Sequence, residues 1–205
     1  MFITLEGIEG SGKTTQSKLL AAYLKTLGHK VLLTREPGGP LISEQIRKIL
    51  LDENNSSMLR ETELLLYLAS RSQHTGEWII PALKEDYIVV CDRYTDSTLA
   101  YQGGGRQFDQ DILFQLTRFA SFDLIPDITL LIDIPVEVAM QRIAEKKPDR
   151  LEKEDHIFHQ RVRDKFLYVA KNEIQRYKII NGVNTITAIQ TEIRKIVFSQ
   201  IKDGS

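Results

Sequence analysis

The sequence predicts an α/β fold of three layers, in which a five-stranded parallel sheet lies between two layers of helices. Five short, mainly apolar runs alternate with longer segments of helical periodicity; the runs are residues 2–5, 30–34, 87–91, 128–133 and 178–180. Continuous rather than alternating apolar residues are typical of strands that are covered on both faces. Such an alternation of strands and helices favours a mostly parallel sheet.

Length and composition indicate one globular domain over residues 1–205. The apolar fraction is 42% and the charged fraction 27%, and this length can bury a sizeable core. The net charge of −1 lacks the basic character of nucleic-acid-binding proteins, so no nucleic-acid partner is expected. The apolar runs are too short to span a membrane, and no signal-peptide pattern precedes the first strand. The single cysteine, Cys91, is expected in the core and suits a reducing compartment, which predicts a cytoplasmic protein.

Helical segments connect the predicted strands. The segment after the first strand carries apolar residues at helical spacing and ends at Gly28, a residue type that commonly follows the last turn of a helix. Further helices are predicted over residues 42–50, 60–84, 135–146, 153–176 and 186–200. His156 and His159 lie three positions apart, a spacing that can bind a metal. Without a third ligand, however, they are expected on a solvated face.

A phosphate-binding motif joins the first strand to the first helix. Residues 7–14 read GIEGSGKT and match the pattern G-x-x-x-x-G-K-[ST]. Glycines let backbone N–H groups turn towards phosphate oxygens, and the helix N-terminus adds the positive end of its dipole. Lys13 is expected to reach the β- and γ-phosphates, and the Thr14 hydroxyl to bind Mg²⁺. The strand–helix context argues against a coincidental turn and predicts a P-loop NTPase fold. Its ATP-binding residues would be Gly7, Ile8, Glu9, Gly10, Ser11, Gly12, Lys13 and Thr14.

Two further motifs follow strands and are expected on the same edge of the sheet. Residues 92–94 (DRY) end the third strand, and residues 35–39 (REPGG) end the second. In open α/β sheets, ligands bind outside the carboxyl ends of the strands. Arg93 can bridge two phosphate groups through charge-assisted hydrogen bonds, although an Asp-Arg pair alone could also be a surface salt bridge. Asp92 is preferred over Asp133, another acid at a strand end, as the second Mg²⁺ ligand.

The motifs exclude one class of nucleotide-binding protein and leave several open. The Asp-x-x-Gly and Asn-Lys-x-Asp motifs of regulatory GTPases do not occur in the sequence. A chain of this size with a charged segment late in the sequence favours a kinase for a small acceptor. A kinase for another nucleoside monophosphate is one alternative. A P-loop protein that binds nucleotide without transferring phosphate is the other.

Five motifs, in order, resemble the thymidylate kinase family, and in particular its bacterial branch. They are the phosphate loop and residues 35–39, 92–94, 101–106 (YQGGGR) and 149–152 (DRLE), and the likeness covers about residues 3–180. The resemblance implies transfer of the γ-phosphate of ATP, with Mg²⁺, to dTMP, giving dTDP for dTTP synthesis. It also implies a short lid at about residues 146–152 and a homodimer.

The resemblance further implies roles in catalysis, which would rest on Lys13, Glu9, Arg93 and Arg150. One branch of the family carries an additional arginine in the phosphate loop. That arginine is absent here, so Arg150 in the lid, beside Lys146 and Lys147, is the candidate, and a solvated charged turn is the alternative. Glu9 is expected to point away from the triphosphate, towards the 3′-hydroxyl of the acceptor sugar and a metal-bound water.

Base recognition would come from the helix at residues 60–75. Arg71 is expected to bond a thymine carbonyl, and Tyr67, four residues earlier on the same helical face, to stack on the base. Ordinary core packing is the alternative for Tyr67. Tyr101 is expected to crowd the sugar 2′ position. The dTMP-binding residues implied by the resemblance are Glu9, Pro37, Tyr67, Arg71, Arg93, Thr98, Tyr101 and Gln102.

Overall fold

The fold is built on one sheet of five parallel strands. A computed structural model of the protein describes residues 1–144 and 149–203, with side chains to residue 201. The strand order is β2-β3-β1-β4-β5. The strands are β1 (Phe2–Glu6), β2 (Val31–Arg35), β3 (Ile88–Asp92), β4 (Ile128–Asp133) and β5 (Tyr177–Asn181). The α/β fold with a five-stranded parallel sheet, predicted from the sequence, is confirmed.

Helices pack on both faces of the sheet. Within the described ranges they are α1 (Lys13–Thr26), α2 (Leu41–Leu51), α3 (Arg60–His74), α4 (Ile80–Lys84), α5 (Thr95–Thr98), α6 (Gln110–Ser121), α7 (Val136–Ile143), α8 (His156–Asn172) and α9 (Ile186–Asp203). The helix predicted over residues 60–84 is divided by a π-helical turn, Thr75–Ile79. Pro81 lies just after that turn and has no N–H for the regular ladder, which favours a change of helical register there. None of the described helices combines the length and the apolar character needed to cross a bilayer.

The side chains of β1 alternate between the two faces of the sheet. Ile3 and Leu5 belong to a buried cluster formed with α1 and α9. Phe2 packs on the opposite face, in a cluster with Ile79. Because successive side chains of a strand point to opposite faces, Glu6 shares the face of Phe2. The central strand therefore ends in an acid, Glu6, on the face of the sheet where Phe2 packs.

Residues 95–121, for which no helix is predicted from the sequence, form α5, a π-helical turn (Leu99–Gly105) and α6. The glycines in this segment suggest a loop, but the structure uses them for close packing against α8. A Cβ added at Gly105 would lie 2.4 Å from Cε2 of Phe158, and one at Gly104 would lie 2.8 Å from the Arg161 oxygen. Contacts between distant elements thus determine the conformation of this segment.

Three smaller expectations have mixed outcomes. Gly28 follows α1 with a φ of +87°, as its sequence position predicts, and Cys91 is fully buried. The solvated face is right for His156, which is 54% exposed, and wrong for His159, which is 1% exposed. His159 is buried because α8 is covered by the turn Leu99–Gly105 as well as by the sheet.

Candidate active site at the carboxyl edge of the sheet

The carboxyl ends of three neighbouring strands bring the predicted motifs together. In the strand register Leu5 lies opposite Asp92, and Asp92 lies opposite Arg35. The chain therefore leaves β1 into the phosphate loop, β3 into Arg93 and β2 into Glu36 at the same level. A cavity of about 360 Å³ opens between these segments.

The glycines of the phosphate loop are required by its backbone. Gly7, Gly10 and Gly12 have φ values of +141°, +73° and +96°, a region that other residues rarely adopt. A Cβ at Gly7 would also lie 2.5 Å from the Ile132 oxygen. Among the described residues the buried Ser11 hydroxyl has no hydrogen-bond partner. A loop of this shape, with a free hydroxyl and a helix N-terminus behind it, suits a phosphate group.

Lys13 places a buried positive charge at this loop. Its Nζ donates to the Ile8 oxygen at 2.9 Å. Burial, and next the positive charge of Arg93, lowers the pKa of Lys13 to about 8. A bound polyphosphate would stabilise the ammonium and raise this pKa again.

Thr14 and Asp92 place two side-chain oxygen atoms next to each other. The Thr14 hydroxyl donates to Oδ2 of Asp92, so the first helix and the third strand meet at this point. Within the described parts of the chain, no group of three or more His, Cys, Asp or Glu side chains could hold a metal. This pattern fits Mg²⁺, which commonly uses one or two protein oxygens together with substrate phosphates. Asp133, the alternative acid, is instead bound by Arg163 through two hydrogen bonds, at 2.7 and 2.9 Å.

Arg93 lies at the centre of the cavity wall. Its Nη1 donates to the Gly7 oxygen at 3.0 Å and to Ser97 Oγ at 3.2 Å. Its Nη2 donates to Glu9 at 2.5 Å and to the Tyr101 hydroxyl at 3.2 Å. Burial lowers the pKa of Arg93, but the neighbouring Tyr101 and Glu9 raise it well above its ordinary value. The guanidinium is therefore a fixed positive charge.

Glu9 faces the residues that were predicted for the acceptor. One carboxylate oxygen accepts from Arg93 and the other from the Tyr101 hydroxyl. Burial raises the pKa of Glu9, but Arg93 and then Lys13 lower it more, so the pKa lies below its ordinary value. Glu9 is thus ionised and lines the cavity, and its contact with the acceptor sugar stays a prediction.

Arg71 is held at the far end of the cavity. Its Nε donates to Glu36 at 2.8 Å, its Nη1 to the Thr98 hydroxyl at 2.7 Å and its Nη2 to the Tyr94 oxygen at 2.9 Å. A guanidinium has five N–H groups, so two remain for a ligand. Both belong to the Nη atoms.

The other residues predicted to bind dTMP surround the same space. Pro37, Tyr67, Thr98, Tyr101 and Gln102 all line the cavity. Burial raises the pKa of the Tyr67 hydroxyl well above its ordinary value, so it stays neutral. Gln102 donates to Glu63 at 3.0 Å, which fixes its amide. The cavity is thus lined both by tyrosines and neutral polar groups and by residues of the phosphate loop.

Arg150 is the predicted catalytic residue that the structure leaves apart from this cavity. Its Nη1 lies 2.5 Å from Glu63, and its Nε donates to the Leu50 oxygen at 3.1 Å. Glu63 is also bound by Arg106 through two hydrogen bonds. Of the predicted lid, residues 146–148, including Lys146 and Lys147, lie outside the described residues. The role of Arg150 over the transferring phosphate remains a prediction.

Glu36 and Arg47 are among the cavity residues that were not singled out from the sequence. Glu36 is buried and contacts both Arg71 and His74, although its motif was recognised. Arg47 of α2 donates to the Pro37 oxygen at 2.7 Å and lines the cavity. Its only sequence signal is a charged residue within the apolar pattern of residues 42–50.

Comparison with known proteins shows the family to which the chain belongs. The thymidylate kinase family model matches residues 5–193. The thymidylate kinase of Geobacter sulfurreducens is 46% identical, over 98% of this chain and 97% of its own length. That of Geotalea daltonii is 48% identical over the same shares.

A solved structure agrees as well. The crystal structure of thymidylate kinase from Ehrlichia chaffeensis superimposes with a TM-score of 0.80 at 39% identity, and the match covers 96% of this chain and 97% of that one. From its phosphate loop to its last strands, the chain belongs to the thymidylate kinase family.

Proposed function

We propose that the residues of this cavity carry out the reaction of the family, the transfer of the γ-phosphate of ATP to dTMP. The protein is an ATP-dependent phosphotransferase whose product, dTDP, serves dTTP synthesis. One observation supports the assignment of residues most strongly. Residues of the phosphate loop and of the proposed acceptor site line one cavity, and Arg93 contacts both Gly7 of the loop and Tyr101 of the acceptor site. Such an arrangement can align a donor and an acceptor phosphate in line.

The transfer itself makes small chemical demands on the protein. An oxygen of the dTMP phosphate forms a bond to the γ-phosphorus, while the bond from that phosphorus to the β–γ bridging oxygen breaks. The bridging oxygen keeps the electron pair and leaves with ADP. Because an ionised phosphate is already nucleophilic, the protein mainly positions the groups and neutralises charge. Lys13 on the donor side and Arg93 between donor and acceptor are the cations placed for this task.

Thr14 and Asp92 would hold Mg²⁺. The ion, when bound with ATP, supplies charge neutralisation to the β- and γ-phosphate oxygens. The adjacent hydroxyl and carboxylate oxygens suit a hard cation. The backbone amides of residues 7–14 would bind the remaining phosphate oxygens.

Glu9 and Tyr101 would select a deoxyribose. The two side chains are hydrogen-bonded to each other, so the ionised carboxylate is fixed where it can accept from a 3′-hydroxyl. The Tyr101 ring would occupy the space that a 2′-hydroxyl needs. Discrimination would rest on excluded volume together with one charge-assisted hydrogen bond.

Arg71, Thr98, Tyr67, Pro37 and Gln102 would bind the thymine end. The two unused N–H groups of Arg71 can donate to a carbonyl oxygen, while cytosine presents an amino donor at the corresponding position. Because three contacts already hold the guanidinium, it cannot turn away to accommodate a donor. Tyr67 would stack on the ring.

Arg150 would act over the transferring phosphate only after leaving Glu63. Its present ion pair with Glu63 holds the guanidinium outside the lining of the cavity. We propose that Arg150, in the lid predicted at about residues 146–152, exchanges Glu63 for the transferring phosphate when both substrates are bound.

The assembly and location are also proposals. Helices α3 and α6 pack against each other and expose large apolar side chains, among them Leu65, Phe114 and Phe119, with Phe119 82% exposed. A second copy of the chain would cover such a surface. The free, buried Cys91 is typical of a reducing compartment such as the cytoplasm.

Measuring ADP formation with each acceptor separately tests this function. ATP and Mg²⁺ would be supplied with dTMP, dUMP, dCMP, AMP, GMP or no acceptor. We expect turnover with dTMP well above the rest. Turnover with another monophosphate would overturn the thymine assignment, and binding of ATP without turnover on any acceptor would favour a nucleotide-binding protein without transferase activity.

A further inference from the structure

Glu6 is a buried acid that the proposed reaction does not use. It is the last residue of β1 and is 0% exposed. Its Oε1 accepts a hydrogen bond from the Tyr94 amide at 2.7 Å, and its Oε2 accepts one from the Ser97 hydroxyl at 2.6 Å. A buried carboxylate costs free energy unless donors satisfy it, and both donors come from the segment that follows β3.

The Ser97 hydroxyl connects Glu6 to Arg93. Arg93 Nη1 donates to Ser97 Oγ at 3.2 Å, and a guanidinium has no acceptor. Ser97 must therefore accept from Arg93, which leaves its single hydrogen for Glu6. The chain of hydrogen bonds runs in one direction, from Arg93 through Ser97 to Glu6.

The backbone provides a second connection. Arg93 has a φ of +74°, a conformation that residues with a side chain rarely adopt. Its own amide donates to the Leu5 oxygen at 3.0 Å. The next amide, that of Tyr94, donates to Glu6. The two N–H groups on either side of the strained residue are thus both fixed to the end of β1.

We infer that Glu6 is a positioning residue for Arg93, fixing its backbone through the Tyr94 amide and its guanidinium through the Ser97 hydroxyl. The inference rests on the proposed function, in which Arg93 contacts both the donor and the acceptor phosphate. Glu6 itself touches neither substrate. Arg93 keeps three other contacts, to Gly7, Glu9 and Tyr101, so loss of the Ser97 link should misplace rather than release it.

Substitutions at Ser97 test the side-chain link with the least disturbance. In Ser97→Ala, kcat for ADP formation with dTMP should fall about 10-fold, the effect of losing one charge-assisted hydrogen bond. The KM for ATP should change little. Ser97→Thr keeps a hydroxyl and should retain the activity. Thr95→Ala, which removes a hydroxyl from the same short helix outside the cavity lining, is the matched control.

A phosphate-specific binding measurement separates positioning from general damage. Calorimetry would compare the affinities for dTMP and for thymidine, which differ by the phosphate that Arg93 is proposed to bind. Ser97→Ala and Glu6→Gln should weaken dTMP binding about 10-fold and leave thymidine binding unchanged. Equal weakening of both ligands would show a structural role and overturn the inference. Thermal unfolding of each variant reports whether the fold is kept.

A double-mutant cycle decides whether Glu6 acts through Arg93. Glu6→Gln would be measured in the natural chain and in Arg93→Lys, for kcat and for the ratio of dTMP to thymidine affinity. We expect Glu6→Gln to lower both kcat and this affinity ratio about 10-fold in the natural chain, and less than about 3-fold in Arg93→Lys. Additive losses would overturn the inference while leaving the kinase assignment intact. Absence of turnover by the unaltered protein with any acceptor would instead overturn the proposed function.

Discussion

The burial of Glu6 predicts a distinctive pH dependence of folding stability. Burial, and next the negative charge of Asp96, raises the pKa of Glu6 from 4.5 to about 7. An acid whose pKa is higher in the folded than in the unfolded state binds more protons when folded. Its contribution to stability is therefore fully present below the unfolded pKa and is lost as the pH rises through the folded pKa. For Glu6 this loss falls between pH 4.5 and about pH 7.

The magnitude follows from the two pKa values. They differ by about 2.5, and one pKa unit corresponds to about 1.4 kcal/mol, so the loss amounts to about 3 kcal/mol. Glu6→Gln cannot ionise. Its free energy of unfolding, relative to that of the unaltered protein, should therefore rise by about 3 kcal/mol from about pH 4.5 to pH 8. Urea unfolding at intervals over this range measures the difference.

Glu9→Gln is the matched control because its expected trend has the opposite sign. Arg93 and Lys13 lower the pKa of Glu9 despite its burial. An acid with a lowered pKa stabilises the fold above its unfolded pKa and loses this contribution as the pH falls. Glu9→Gln should thus become less stable, relative to the unaltered protein, as the pH rises to about 4.5, so the measurements on this variant are extended below pH 4.5. A stability difference for Glu6→Gln that stays constant with pH, or that follows the Glu9→Gln trend, would refute the reasoning.

Three further predictions concern the site and the packing behind it. Glu9→Ala should lower kcat about 100-fold, because the acceptor sugar loses its charged partner, with little change in ATP affinity; equal loss of ATP affinity, measured by calorimetry, would contradict this role. Tyr101→Ala should raise the ratio of ribonucleotide to deoxyribonucleotide turnover about 10-fold by freeing space at the 2′ position, and an unchanged ratio in competition assays would argue against it. Gly105→Ala should cost about 2 kcal/mol by thermal or urea unfolding, because its Cβ meets the Phe158 ring. Gly76→Ala, where the nearest atoms lie at 3.5 Å, should be neutral, and equal effects of the two substitutions would refute the packing argument.

The fold could be predicted from the sequence where the signal is local. Each of the five strands is a short apolar run, and the phosphate loop carries its own glycines. Residues 95–121 could not be predicted in this way, because Gly104 and Gly105 look like loop residues until α8 is placed against them. His159 was misassigned for the same reason, since burial on α8 depends on a partner distant in sequence.

The candidate site, too, could be predicted only where the signal in the sequence is local. Sequence motifs bring attention to the ends of β1, β2 and β3, and the structure joins those ends around one cavity. The sequence motifs do not reveal which side chains of the site form hydrogen bonds or ion pairs with each other. The contact of Arg150 with Glu63 and the links from Arg71 to Glu36 and from Ser97 to Glu6 depend on how α3 and the segment after β3 approach the sheet.

Glu6 connects the stability of this fold with its chemistry. If the acid were only structural, removing its charge at pH 8 should improve folding or leave it unchanged, without affecting catalysis. If it positions Arg93, the same substitution should give a protein that is more stable and less active. Selection for activity retains destabilising groups at sites of this kind. A buried acid whose ionisation is opposed by the fold, and whose oxygens are both used by the segment carrying Arg93, is best explained by that second case.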